Sequence, residues 1–295
     1  MKQTLKLCAW SIGLLLFWAS SACAQVIVSP QDSQPQDVQT VLDGLARMDV
    51  VYLGETHDRQ ADHDAQLEII RQLHQQNPQL AIAMEMFQRP YQDAIDQYLA
   101  GTITATELRQ RSEYDQRWGF SWDYYLPILE FAKQNQLPVI ALNTPTEVTR
   151  RVAREGLESL TEADRQWVPA ATEIRTDPSE YRQMLQDIFE SHAGHGNSGN
   201  FENFFAAQVL WDETMAAGVA EFLQANSGYQ VVVLAGQGHI VYDYGIPNRV
   251  ERRMANDEDF NQRSILLNPD EAVQSERSLT DSGEAIADYF WITTD

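Results

Sequence analysis

Asp49-Val50-Val51-Tyr52-Leu53 runs directly into Gly54-Glu55-Thr56-His57, and much later Val231-Val232-Val233-Leu234-Ala235 runs into Gly236-Gln237-Gly238-His239. Each apolar run has strand length and is followed by a glycine, which permits a sharp turn that a side chain would resist. In an open parallel α/β sheet, ligand and catalytic groups gather beyond the carboxyl ends of the strands. Two strand-terminal histidines far apart in sequence are therefore expected to face one pocket.

Working outward, other segments fit the same frame. Residues 62–76 carry Leu67, Ile70, Leu73 and His74 at helical spacing, and Asn77-Pro78 stops the helix. Leu80-Ala81-Ile82-Ala83-Met84, ending at Glu85, and Pro138-Val139-Ile140-Ala141-Leu142, ending at Asn143, are continuous apolar runs of the kind covered on both faces. Helices are expected at 90–100, at 122–134 and near Pro247, with a last strand at 264–267. Between about 146 and 225 the strand signal nearly vanishes. Helical patterns there, broken by Gly156, Pro169, Pro178 and a Gly/His/Asn/Ser loop, predict a helical insertion. The order of elements predicts an α/β fold with a mostly parallel sheet flanked by helices, all within residues 41–268.

The ends of the chain read differently. Lys2 and Lys6, the apolar stretch Leu7 to Ala19 and Ala22-Cys23-Ala24 have the form of an export signal over residues 1–24. The expected location is the periplasm or outside the cell. Cys23 opens the alternative of lipidation and membrane retention, although Ser20 stands where an aliphatic residue is usual. Cleavage after Ala24 would remove both cysteines, Cys8 and Cys23, leaving no disulfide or thiolate metal site. Residues 25–40 read as a flexible lead-in and 269–295 as a tail, loosely held until about Ala285. The formal charge of −22 argues against nucleic acid and anionic membrane surfaces as partners.

Glu55, His57, Glu85, Asn143 and His239 thus all end strands. Two imidazoles with one or two carboxylates, His57, His239, Glu55 and Glu85, suit a divalent metal that polarises a carbonyl or activates water. The same groups suit metal-free acid/base work, a carboxylate orienting a histidine that moves a proton. Arg249 is the candidate to anchor an anionic ligand or neutralise Glu55 or Glu85. His63 stands near the start of the first helix, and His192-Ala193-Gly194-His195 has a spacing seen in metal sites. There is no Gly-x-Gly-x-x-Gly turn, P-loop or nucleophile elbow to suggest nucleotide or serine-hydrolase chemistry.

These pieces, with Ala83-Met84-Glu85-Met86-Phe87, Gln208, Asp212, Thr214-Met215-Ala216 and Gly245-Ile246-Pro247, resemble the ChaN-like haem-binding uptake proteins of the Tiki/TraB/erythromycin-esterase superfamily. The match runs from Val50 to Arg249. The resemblance implies haem, bound at the interface of a homodimer with a tyrosine ligating iron, and hence haem uptake or handling. It also implies a hydrolytic alternative, an esterase or protease using the two Gly-x-x-His turns, since other branches of the superfamily are enzymes. No motif places the haem tyrosine. The candidates are Tyr91, Tyr98, Tyr124 and Tyr125, between the second and third strands, where the run Trp118 to Tyr125 offers either a wall for a flat macrocycle or a packing cluster.

Overall fold

The computed structural model describes residues 24–31, 34–192, 200–275 and 285–294. The elements follow in the order β1 Ala24–Val28, β2 Pro35–Gln36, α1 Val38–Leu45, β3 Val50–Glu55, α2 Gln60–Gln76, β4 Leu80–Gln88, α3 Gln92–Leu99, α4 Ala105–Arg111, α5 Tyr114–Arg117, α6 Trp122–Asn135 and β5 Val139–Asn143. The second half comprises α7 Thr146–Glu155, α8 Glu162–Arg165, α9 Ser179–His192, α10 Phe201–Ala225, β6 Gln230–Gly236, α11 Ile246–Met254, β7 Gln262–Leu267, α12 Glu271–Ser275 and β8 Tyr289–Thr294.

The strands form one sheet in the order β2-β1-β8-β7-β3-β6-β4-β5. From β8 to β5 every pairing is parallel. Alternate residues of β3 serve opposite faces, as the period of two requires: Val51 and Leu53 pack with α2 and α6, Val50 and Tyr52 with α10 and α11. Both faces are covered, which is why these strands read as unbroken apolar runs. The expected helical insertion is α7 to α10, with apolar clusters of its own around Val152 and Leu210 and around Tyr181 and Phe205.

Chain order explains the site. From β3 the chain passes to β4 and β5, leaving one strand position empty, and returns after the insertion to fill it with β6. Glu55 then lies in register with Gly236, and Met84 with Leu234. The ends of β3, β6 and β4 become neighbours, a switch point of the kind where α/β sheets hold ligands.

The lead-in over 25–40 needs correction. β1 pairs antiparallel with β8 from Ala24↔Thr294 to Val28↔Phe290, and α1 begins at Val38 with Asp37 as its N-cap. The polar composition of the segment hides Val26-Ile27-Val28, whose Ile27 is fully buried. Within the tail, β8 continues the sheet and buries Trp291. The segment up to Cys23 in which an export signal is expected, including Cys8, lies outside the described residues, as do Gly194 and His195; His192 closes α9. Among the described residues no helix is long and apolar enough to cross a membrane.

Candidate functional site: a cavity between two histidine–carboxyl pairs

Glu55 ends β3 fully buried and is held from several sides. One oxygen accepts from Tyr125 Oη and meets His57 Nδ1 at 2.8 Å; the other accepts from Gln66 Nε2 at 2.6 Å. His63 lies 3.6 Å from the second oxygen and is itself buried, its Nε2 at 3.1 Å from the His57 carbonyl. The two helices facing this side of the sheet, α2 and α6, thus supply Gln66, His63 and Tyr125. Their role is to fix Glu55, and Glu55 in turn fixes the His57 ring.

His57 lies across Gly236. A Cβ on that residue would come 2.9 Å from His57 Cε1 and Nε2, so only glycine lets the imidazole rest against the end of β6. Trp118 and Phe120 enclose the ring from the other side, each with its centroid 4.8 Å away. Burial alone lowers the basicity of His57, but the bond to Glu55 and the nearness of Glu85 outweigh it and raise the imidazole above its ordinary value.

The second pair is built on α10. His239 Nδ1 lies 2.6 Å from Asp212 Oδ1, and the other Asp212 oxygen accepts from Tyr181 Oη of α9. His239 Nε2 faces Glu85 Oε1 at 3.6 Å, while Glu85 Oε2 accepts the Gly236 N–H at 2.8 Å. Asn143 Nδ2 donates to the Glu85 carbonyl at 2.9 Å, joining the ends of β4 and β5. Burial works against charge on His239, yet Glu85 and then Asp212 push its pKa up to about 9. The two carboxyl groups thus favour its protonated form.

Between the pairs opens a cavity of about 330 Å³, walled by His57, Glu85, Trp118, Asn143, Trp211 and His239 among others. Of the strand-end residues singled out from sequence, His57, Glu85, Asn143 and His239 line it, as does Gln208, and Glu55 supports it from beneath.

Two expectations fail here. Arg249 is fully buried away from the cavity: Nη1 donates to the Tyr244 and Gly245 carbonyls, Nε lies 3.4 Å from Glu213 Oε1, and the guanidinium sits over the Tyr181 ring. It closes the turn ahead of α11, because the helix carries this position onto its inner face. The metal expectation for His57, His239, Glu55 and Glu85 is also corrected. Among the described residues no group of three or more His, Cys, Asp or Glu side chains is disposed to hold an ion. Both Glu55 oxygens are already engaged, one by Tyr125 and His57 and the other by Gln66.

The tyrosines separate by burial. Tyr125 is fully buried on Glu55, and Tyr98 is buried beneath Lys133; burial raises the pKa of both phenols. Tyr124 is half-buried, stacked on His63, and donates to the Asp58 carbonyl at 3.1 Å. Tyr91 is half-buried, donates to Glu113 at 2.9 Å and lies under the Arg117 guanidinium, which itself reaches the cavity wall. Sequence reasoning assigned no role to Gln66, Tyr181 or Trp211, and none of its own to Asp212. A signal was present: Asp212-Glu213-Thr214 interrupts an apolar helix and is wholly buried, which for three polar residues requires partners.

A doubly covered parallel sheet with two buried histidine–carboxyl pairs at its switch point defines the class: an α/β protein with a preformed polar cavity at the carboxyl ends of its central strands. Within that class the chain belongs to the haem-binding uptake family of the Tiki superfamily, ChaN, whose family model matches residues 41–250. The solved structure of ChaN from Campylobacter jejuni, described by its cofacial haem binding, superposes with a TM-score of 0.66 over 92% of this chain and 97% of that one, at 18% identity. RETICULATA-RELATED 5, a chloroplastic protein of Arabidopsis thaliana, is 27% identical over 277 residues. That match takes in 87% of this chain but only 35% of the plant protein.

Proposed function

We propose that this protein is exported and binds haem, with Tyr91 offering the iron its oxygen ligand and a second copy of the chain closing over the bound group. The observation that carries this reading is the family match, which spans the central strands and every residue of the cavity. The cavity itself does not fit a porphyrin. Its walls combine the polar groups of Glu85, Asn143 and Thr144 with the rings of Trp118, Phe120 and Trp211, and its volume is at the lower end of the range for small-molecule pockets, roughly 300–1,000 Å³. A tyrosine ligand must therefore act from outside it. Tyr98 and Tyr125 are buried too deeply, whereas Tyr91 and Tyr124 are half-exposed.

Tyr91 is favoured because Arg117 lies over its ring, 5.1 Å from the centroid. Burial and the bond to Glu113 hold the Tyr91 phenol above its ordinary value, and Arg117 opposes them by favouring the phenolate. Bound haem would supply the iron; the chain would supply the phenolate oxygen and the neighbouring cation. Export is supported by Lys2, Lys6 and the apolar stretch before Ala22-Cys23-Ala24, with lipidation at Cys23 the membrane-anchored variant of the same proposal. The hydrolytic alternative is not favoured: both the family and the Campylobacter structure are described by haem.

Titration of the purified protein with hemin tests this. The expected result is a saturable shift of the Soret band that is lost in Tyr91→Phe, retained in Tyr124→Phe, and accompanied by a doubling of mass in light scattering. Spectra identical to those of free hemin would overturn the haem reading; loss in Tyr124→Phe alone would move the ligand.

A further inference from the structure

Among the described residues β5 forms one side of the sheet, with no strand beyond it. It pairs with β4 through Ile82↔Val139 and Met84↔Ala141, and the Ile82 N–H donates to the Pro138 carbonyl at 2.9 Å. In a parallel ladder the backbone groups of the alternate residues, Val139 and Ala141, therefore point away from β4 toward the open side. Such a row of outward groups is a template on which another chain can add a strand, and sheets guard it with charged residues, proline or extreme shortness. At the opposite side, β2 is only Pro35–Gln36. β5 is the longer run Val139–Asn143 and bears no charge.

Gln92, the first residue of α3, stands at this edge. Its Nε2 donates to the Val139 carbonyl at 2.8 Å, and its Oε1 accepts the Ala141 N–H at 2.8 Å. A residue of a neighbouring parallel strand would make the same pair of bonds with its own N–H and C=O. A side-chain amide can imitate it because it holds donor and acceptor together, which a carboxylate does not. The remaining Nε2 hydrogen goes to Asp96 Oδ1 at 2.8 Å, one helical turn on, which orients the amide. Val139 and Ala141 are 2% and 4% exposed, so their outward groups need a protein partner in place of water. We propose that Gln92 stands in for a missing strand and holds the β5 edge closed to a second copy of this chain. Two β5 edges brought together by a two-fold axis would pair antiparallel, and that pairing needs the carbonyl and the N–H that Gln92 engages. The groove beside Gln92, walled by Pro138, Ile140, Trp167 and Phe222, would add apolar surface to the contact. None of this depends on haem binding at Tyr91.

Gln92→Ala, studied without hemin, tests the proposal. The Ala141 amide is expected to exchange its hydrogen on the order of tenfold faster once its acceptor is gone. In light scattering the mass of the variant should climb with protein concentration, while the wild type keeps one mass over the same range. Ile140→Lys, added to Gln92→Ala, sets a charge on the opened edge and should restore the wild-type mass while Ala141 exchange stays fast. Unchanged Ala141 exchange in Gln92→Ala would overturn the proposal, as would a mass that never exceeds the wild-type value or a rise in mass that Ile140→Lys does not reverse.

Discussion

Asp212→Asn should return His239 toward ordinary histidine behaviour without disturbing its packing. Asparagine has the size of aspartate and keeps one oxygen for Nδ1, so the change removes the charge and sets an NH2 group where the second oxygen accepts from Tyr181 Oη. His239 is raised from 6.5 to about 9 by Glu85 first and by Asp212 second, against burial and against Arg249. The difference corresponds to roughly 3 kcal/mol favouring the cation. Asp212 contributes both through charge and through the 2.6 Å bond, so its neutralisation should lower the His239 pKa by more than a unit, on the order of 1–2 kcal/mol. Glu85 and burial would remain, in opposition. The assay is an NMR titration of the imidazole ring nitrogens from pH 5 to 10 in both proteins. An unchanged His239 midpoint would refute the claim that the α10 carboxyl group holds this histidine charged. A second consequence follows by linkage. A group whose pKa is raised on folding stabilises the protein fully below its unfolded value and loses that contribution as pH climbs through the folded value. Wild-type stability should therefore fall between about pH 6.5 and 9, and Asp212→Asn should flatten that fall in denaturant titrations.

Gly236→Ala should displace His57, since the new Cβ would come 2.9 Å from its ring; the ring's pKa should drop toward the ordinary value as the bond to Glu55 loosens, at a cost of about 1–2 kcal/mol read by denaturant unfolding. Arg249→Met should destabilise the fold by on the order of 2–3 kcal/mol, because the Tyr244 and Gly245 carbonyls lose their donor, while Glu213 keeps Arg252 and Arg253; a sharp loss of ligand binding with unchanged stability would instead restore Arg249 to the site. Asp62 is raised to about 6 by burial, against its bonds to Thr56 and Asn268, so its contribution to stability is present below its ordinary 3.8 and declines as pH rises through 6. Asp62→Asn should remove that slope, measured as unfolding free energy from pH 4 to 7.

Much of the fold was legible because parallel strands buried on both faces leave a local mark. Val50 to Leu53, Leu80 to Met84 and Val231 to Ala235 are apolar without interruption, and each lies within a strand of the structure. The edge was harder. β1 and β2 sit in a polar segment, and nothing local announces that Val26 to Val28 will pair with a strand more than 250 residues later. Their burial is conferred by β8, a partner that composition does not reveal.

The site divides along the same line. Glycine and histidine after a strand form a local pattern, so His57 and His239 were visible as a pair, with Glu55, Glu85 and Asn143 at the neighbouring strand ends. What those groups do to one another was settled by the crossover that places β6 between β3 and β4. That topology lays His57 on Gly236, and it lets α10 bring Asp212 to His239 while α6 brings Tyr125 to Glu55. Tyr125 thereby becomes a buried support, and Arg249, a free cation to the eye reading a sequence, becomes the closure of a turn. Residue type and spacing determine which chemistry is on offer; only packing between distant elements determines which atoms are already engaged and which still face the cavity.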